Sequence, residues 1–282
     1  MQSFYLNCWI PSKKNYTRVL ELKMSQFDIL SKYIANNDDE NIANCFEYII
    51  KENLENKDIY SELTKFDKWF ILTFLRASSI SPSLYFVAKD KNNAECNIEF
   101  NLFNILTELS EIEFDTIDPI NEGNISLVIS PSRKLFINDT VLDSVFSVKA
   151  DEEIYYTELL SGKERRTLLS SIEGKLRTSI SEHISKYEKK YINTFLLKSN
   201  PGLQNFSSIS LKLFDNTLYN FVVMIYKPFA KGIYKKKYNL MTSLKMSLTE
   251  VNNLTPVECD VYLGMLAADL KSSKESRKAF NL

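Results

Sequence analysis

The chain has 282 residues, 44% of them apolar and 25% charged, and its 35 basic and 36 acidic residues leave a formal net charge of −1. That is enough apolar material for a substantial core in one large or two modest domains, and it excludes both a disordered chain and a surface built throughout for nucleic acid. Six glycines, none in a GxGxxG or GxxxxGK arrangement, disfavour a phosphate-cradling nucleotide site.

The charge is unevenly placed. Residues 1–120 hold 12 basic and 19 acidic residues and residues 121–282 hold 23 and 17, so the two parts stand at about −7 and +6. Such an imbalance suits head-to-tail contact between copies or docking on a charged partner, and simple drift of surface charge also produces it. Cys8, Cys45, Cys96 and Cys259 form no CxxC or CxxH pair, which points away from a zinc knuckle or a disulfide framework and towards a reducing cytoplasm. The N-terminal MQSFYLNCWIPSKKN lacks a basic start and an apolar h-region, and no apolar run approaches the roughly 20 residues of a membrane span.

In chain order, 4–10 and 17–24 read as strands joined by the turn PSKKN. Ser25 opens a short helix with Asp28 at its third position and Phe27, Leu30 and Ile34 on one side. Ile42, Cys45, Phe46, Ile49 and Ile50 then mark a one-faced helix over 39–55 with an acidic first turn, as the helix dipole favours. Thr64 and Asp67 have capping-box spacing, and Phe66, Trp69, Phe70, Ile71, Leu72, Phe74 and Leu75 make the helix behind them apolar nearly all round. Such a helix must be covered on most sides. Ser78 to Pro82 ends it, and LYFVAK and CNIEFNL form a hairpin around the polar turn Asp90 to Ala94. Helix and hairpin together form the expected central unit, with the hairpin of 84–102 in contact with helix 39–55 or helix 64–78.

After an ambiguous stretch from Phe103, a break at Asp118–Pro119 and Asn121 to Asn124 sets a domain boundary near residue 121. ISLVISPSRKLFI reads as a strand, a turn at Ser130–Pro131 and a second strand. Glu152 to Leu197 is helical by pattern, in two helices with Gly174 as the stop between them. In the second, Leu176, Ile180, Ile184, Tyr187, Tyr191 and Phe195 recur every three or four residues. Asn200-Pro201-Gly202 ends it, Ile209, Leu211 and Leu213 alternate as a strand, and Phe214, Leu218, Phe221, Val222, Ile225, Tyr226 and Phe229 follow a helix capped by Asp215 that Pro228 should kink or end. Thr255, Pro256 and Glu258 are three concordant start signals for a terminal helix. The expected fold is therefore α+β, with hairpins packed against helices in 1–120 and a mostly helical 121–282.

Catalytic chemistry finds little support. His183, the single histidine, has no Ser, Cys or carboxylate at motif spacing, and Glu152/Glu153, Asp38/Asp39 and Glu111/Glu113 read as solvated helix starts and loops. No catalytic residue, cofactor or metal ligand is assigned, and no enzyme activity is expected. The run from Tyr226 to Tyr238 (Tyr226, Lys227, Phe229, Lys231, Tyr234, Lys235, Lys236, Lys237, Tyr238) interleaves aromatics with lysines. Two readings are open: a single-stranded nucleic-acid site using stacking and charge, or a buried aromatic stripe with a basic outer face.

The order of pieces resembles the T4-type bacteriophage baseplate hub family, tail proteins of contractile-tailed phages. The resemblance is carried by Trp9-Ile10-Pro11-Ser12, by LTxxDxxFILxxLRxxS from Leu63 to Ser79, by the strand xIxFNL, and by KERRTLLSSI, LFDNTLYNFVVMIY and LTPVECDVYL, over roughly residues 4–275. These are packing and capping residues. Some relatives look to have paired cysteines in the central hairpin, where this chain has Asp90 to Ala94 and a single Cys96, so a metal-stapled hairpin is not implied. The resemblance implies a virion baseplate component or an assembly factor, in the tail or in the host cytoplasm during assembly, whose partners are other baseplate proteins or further copies of itself. Because interface cores favour aromatics, Tyr187, Tyr191, Tyr226, Phe229, Tyr234 and Tyr238 with Lys235, Lys236 and Lys237 are the contact candidates, centred on residues 226–245.

Overall fold

A computed structural model of the chain describes residues 4–89, 95–115, 117–150, 152–157, 159–170, 174–191, 193–195 and 209–280. The fold is α+β: small antiparallel sheets among many helices. Strands β1 (Tyr5–Ile10) and β2 (Asn15–Leu20) form the expected N-terminal hairpin, closed by a short 3-10 turn at Pro11–Lys13. Helix α1 (Gln26–Asn36) buries Phe27, Leu30 and Ile34, although Ser25 lies in the helical region and its side chain caps nothing. Helix α2 (Asp39–Asn53) is capped by Asp38 and buries Ile42, Phe46, Ile49 and Ile50.

At the centre lies α3 (Lys65–Ser79), whose capping box between Thr64 and Asp67 is fully formed. Of its 15 residues all but Phe74 and Ser78 are buried. Trp69 has no exposed surface, stacks on Phe66 at 5.4 Å and lies 5.7 Å from Phe221. A fully buried ring of this kind contributes roughly 1.5–3 kcal/mol. The helix is not wholly apolar, however: Lys65, Asp67, Lys68 and Arg76 are buried with it, each held by named partners. A buried charge without partners would be strongly destabilising, so these bonds are a condition of the packing.

Strands β3 (Ser83–Lys89) and β4 (Glu95–Asn101) pair in register from Ser83↔Asn101 to Lys89↔Glu95, and their turn at 90–94 lies outside the described residues. The hairpin's buried Phe100 faces Phe221, 6.3 Å away, on a later helix. The link to α3 runs chiefly through α4 (Leu102–Leu109), N-capped by Asn101 and set beside α3 with Phe74 and Phe103 at 6.4 Å. The stretch after Phe103 is thus helical.

Strands β5 (Ile120–Glu122) and β6 (Ile125–Ile129) start a four-stranded antiparallel sheet. The expected second strand at Lys134 to Ile137 does not form. Leu135 and Ile137 are buried, yet the N–H of Leu135 donates to Glu47 and that of Ile137 to Asn216, so side chains supply what a ladder would. After α5 (Thr140–Asp143) come β7 (Val145–Ala150) and β8 (Glu153–Tyr156), which complete the sheet. Here a helix was expected, but Ile154 to Tyr156 pair with Ser147 to Lys149, a tertiary pairing that suits β-prone Ile and Tyr. Helix α6 (Gly162–Ser170) therefore starts later than its pattern suggests, and Gly174 opens α7 (Gly174–Tyr191) instead of merely ending α6. Leu176, Ile180 and Ile184 are the buried stripe of α7.

Strands β9 (Asn193–Phe195) and β10 (Ile209–Leu211) pair, and Asn200-Pro201-Gly202 lies outside the described residues. Helix α8 (Thr217–Ser243) then runs unbroken through Pro228 for 27 residues. Proline disrupts the helical ladder just before it, and the Arg76 guanidinium of α3 donates to the carbonyl of Ile225 there at 2.9 Å. Asp215 does accept from the N–H of Thr217, while Asn216 occupies the cap position and clamps both backbone groups of Ile137. A short α9 (Leu248–Asn253) with a Ser247–Glu250 capping box was not foreseen. It leads to α10 (Pro256–Phe280), which begins with the expected Thr255–Glu258 reciprocal bonds. Helix α8 lies against α1, α3 and α10, and buried residues from both halves of the sequence form one apolar cluster.

Candidate functional site

The sequence of α8 divides into two faces. Phe221, Val222, Ile225, Tyr226, Phe229, Ala230, Ile233 and Leu240 recur at helical spacing and are buried. Tyr226 packs edge-on to Phe46 at 5.1 Å, and its hydroxyl donates to the carbonyl of Leu72. Burial pushes its phenol well above the ordinary range. Phe229 meets Phe27 edge-on at 4.7 Å and carries the Lys236 ammonium over its ring. Both residues were contact candidates, and both are core.

The three consecutive lysines also part company. Lys237 is 5% exposed, ion-paired to Asp28 and bonded to Asn252, so it ties α8 to α1 and α9. Lys236 is paired with Asp260 at the start of α10. Lys235 is exposed. Together with Lys227 and Lys231 it makes no ion pair among the described residues. Tyr234 and Tyr238, 57% and 66% exposed, stand one turn apart on the same outer face, with Met241 beyond them. The Tyr234 hydroxyl donates to the carbonyl of Asp28 on α1. Upstream, Asn220, Val223, Met224, Lys227, Pro228 and Lys231 line an open depression of about 450 Å³.

The other candidates are differently placed. Tyr187 is half-buried, edge-on to Phe214 at 5.8 Å, and its hydroxyl donates to the carbonyl of Asp115. The side chain of Tyr191 lies outside the described residues. His183 Nδ1 bonds the carbonyl of Ser179 one turn back in α7. Asp38 caps α2 and Asp39 accepts from the buried Tyr219 hydroxyl. Among the described residues no three His, Cys, Asp or Glu side chains converge as a metal site, and no helix is long and apolar enough to cross a membrane.

The buried charged groups of α3 are likewise occupied, while the buried Trp69 Nε1–H has no hydrogen-bond partner among the described residues. Asp67 accepts from the N–H and hydroxyl of Ser12 and from the N–H and hydroxyl of Thr64. Lys68 pairs with Glu47 at 2.8 Å, donates to the carbonyl of Arg133 and lies over the Tyr60 ring. Lys65 donates to the carbonyl of Asp215 at 2.6 Å, and burial lowers its pKa to about 8. Burial also raises the thiol of Cys259, to about 11, and that of Cys8 beyond it, so neither is an activated nucleophile.

Lys227 and Lys231 belong to the basic aromatic run named from the sequence but not to its contact candidates, and Met241 is not singled out there; the four-residue spacing from Lys227 through Lys231 to Lys235 is the signal that groups the lysines on one face.

The buried charges of this scaffold serve internal bonds, and exposed tyrosines and lysines share an outer face of α8. Residues 4–205 match the family of T4 bacteriophage base plate proteins, and the chain belongs to that family. It is a bacteriophage baseplate protein. No curated protein and no solved structure matches it.

Proposed function

We propose that this chain is a structural or assembly protein of the baseplate hub that works through protein–protein contacts and performs no catalysis. The observation that carries the reading is the outer face of α8, where Tyr234, Tyr238 and Met241 stand exposed beside Lys231 and Lys235. Aromatic and methionine side chains dominate interface cores, and exposed aromatics on a rigid helix lose little entropy on docking. In this reading the chain works in the virion tail, or in the host cytoplasm while the tail is built, with other baseplate proteins as its partners. Mass spectrometry of purified virions and tail intermediates tests it. Presence in finished particles makes the chain a component, presence in intermediates alone makes it an assembly factor, and absence from all of them refutes both.

A second reading has its own observation: lysines and tyrosines alternate on that exposed face, as a stacking site for single-stranded nucleic acid would require. Filter binding with single and double strands decides it, since such binding weakens steeply with salt.

A further inference from the structure

We propose that the lysine and tyrosine face of α8 binds the acidic segment 108–118 of a second copy of this chain, head to tail. The inference rests on reading that face as a protein-contact surface and names the partner. Lys227, Lys231 and Lys235 are spaced four residues apart, so they form one row along α8 about 12 Å long. None makes an ion pair among the described residues, whereas their neighbours Lys236 and Lys237 are neutralised by Asp260 and Asp28.

The matching surface lies at the end of α4. Glu108, Glu111, Glu113, Asp115 and Asp118 fall within eleven residues that contain no Lys or Arg, and all five are exposed. Glu113 and Asp115 are engaged by Lys14 and Lys190 of the same chain, while Glu108, Glu111 and Asp118 form no ion pair among the described residues. Three lysines without an acidic partner therefore face a set of three carboxylates without a basic one. Each set has apolar surface at hand: Tyr234, Tyr238 and Met241 beside the lysines, Phe103 at 39% exposure on α4. Opposite potentials steer the encounter, and the aromatics supply area from which water is excluded.

The two surfaces differ, so the contact is heterologous. After the first contact the pair keeps one free surface of each kind, one on each copy, and association continues to a ring or a chain. A two-fold contact centred on the lysine row would instead place lysine against lysine, which like-charge repulsion opposes.

Sedimentation velocity of the purified full-length chain tests this over a range of protein concentrations at about 50 mM and about 500 mM salt, where screening differs severalfold. The expected result is association beyond a dimer at low salt that is lost at high salt. The triple variant Lys227→Glu, Lys231→Glu, Lys235→Glu and the triple variant Glu108→Lys, Glu111→Lys, Asp118→Lys should each weaken association about tenfold or more with an unchanged melting curve. Mixing the two variants should restore it, because every contact in the mixture again joins opposite charges. Glutamine replacements at the same positions give the milder loss expected if charge alone is removed. A chain that stays monomeric throughout overturns the proposal, as does association that neither variant alters, or single-strand binding that the lysine variant abolishes. Incorporation into tails is measured separately, so failure to self-associate is distinguishable from failure of the baseplate reading.

Discussion

Ser12 and Asp67, 55 residues apart, are joined by two hydrogen bonds: the backbone N–H of Ser12 to Oδ1 at 3.0 Å and its hydroxyl to Oδ2 at 2.6 Å. The same carboxylate closes the capping box of α3, so one buried group fixes both the start of the central helix and the turn of the N-terminal hairpin. The serine of the IPS motif and the aspartate of the following helix motif are thus two ends of one contact.

Asp67→Asn should therefore cost more than the loss of a helix cap. The amide turns an acceptor into a donor facing Ser12 or Thr64, and bonds to a charged acceptor are worth about 1.5–3 kcal/mol each. Urea denaturation should show a loss of about 2–4 kcal/mol for Asp67→Asn and about 1–2 kcal/mol for Ser12→Ala. The double variant should lose less than the sum, since both changes break the same bonds.

Lys235 and Lys237 should behave oppositely although they are two residues apart. Lys235→Glu changes an exposed site, and its melting curve should move by less than about 0.5 kcal/mol in stability terms. Lys237→Glu puts two carboxylates together where an ammonium joined Asp28 and Asn252. Discounted for the partial exposure of Asp28, the loss should be about 2–3 kcal/mol. Equal effects in thermal denaturation would contradict the division of α8 into two faces.

Lys65 gives the fold a pH dependence of defined sign. Burial lowers its pKa in the folded chain to about 8 from the ordinary lysine value of 10.5, so between these values the unfolded chain holds more proton. Stability from this group is accordingly lowest below about pH 8 and rises towards pH 10.5. Lys65→Met removes the titration. Denaturation at pH 7.5 and pH 10 should show the parent gaining stability relative to Lys65→Met as pH rises, and a relative loss would contradict the burial of its ammonium.

Much of this fold is legible where local chemistry decides it. The Thr64–Asp67 and Thr255–Glu258 boxes, the one-faced pattern of α2 and the hairpin of β1 and β2 are set by neighbours in sequence. The errors arise where distant groups decide. Ile154 to Tyr156 have no helix because β7 pairs with them, Leu135 and Ile137 have no strand because Glu47 and Asn216 take their N–H groups, and α8 survives Pro228 with Arg76 bonded to the Ile225 carbonyl. The contact face was half legible for the same reason. Tyr226, Phe229, Tyr234 and Tyr238 look alike in sequence, and only the direction from which α1, α2 and α3 approach the helix separates the buried pair from the exposed one.

The most direct measurement is lysine-directed cross-linking of purified baseplates followed by mass spectrometry. Lys227, Lys231 and Lys235 are themselves the reactive groups, and each stands on the face assigned to contact. The predicted result is that peptides containing Lys231 and Lys235 are joined to another baseplate polypeptide or to a second copy of this chain. Baseplates that contain the chain but leave these lysines joined to nothing outside their own fold, while other surfaces of the chain cross-link to neighbours, would contradict the assignment of α8 as the contact helix.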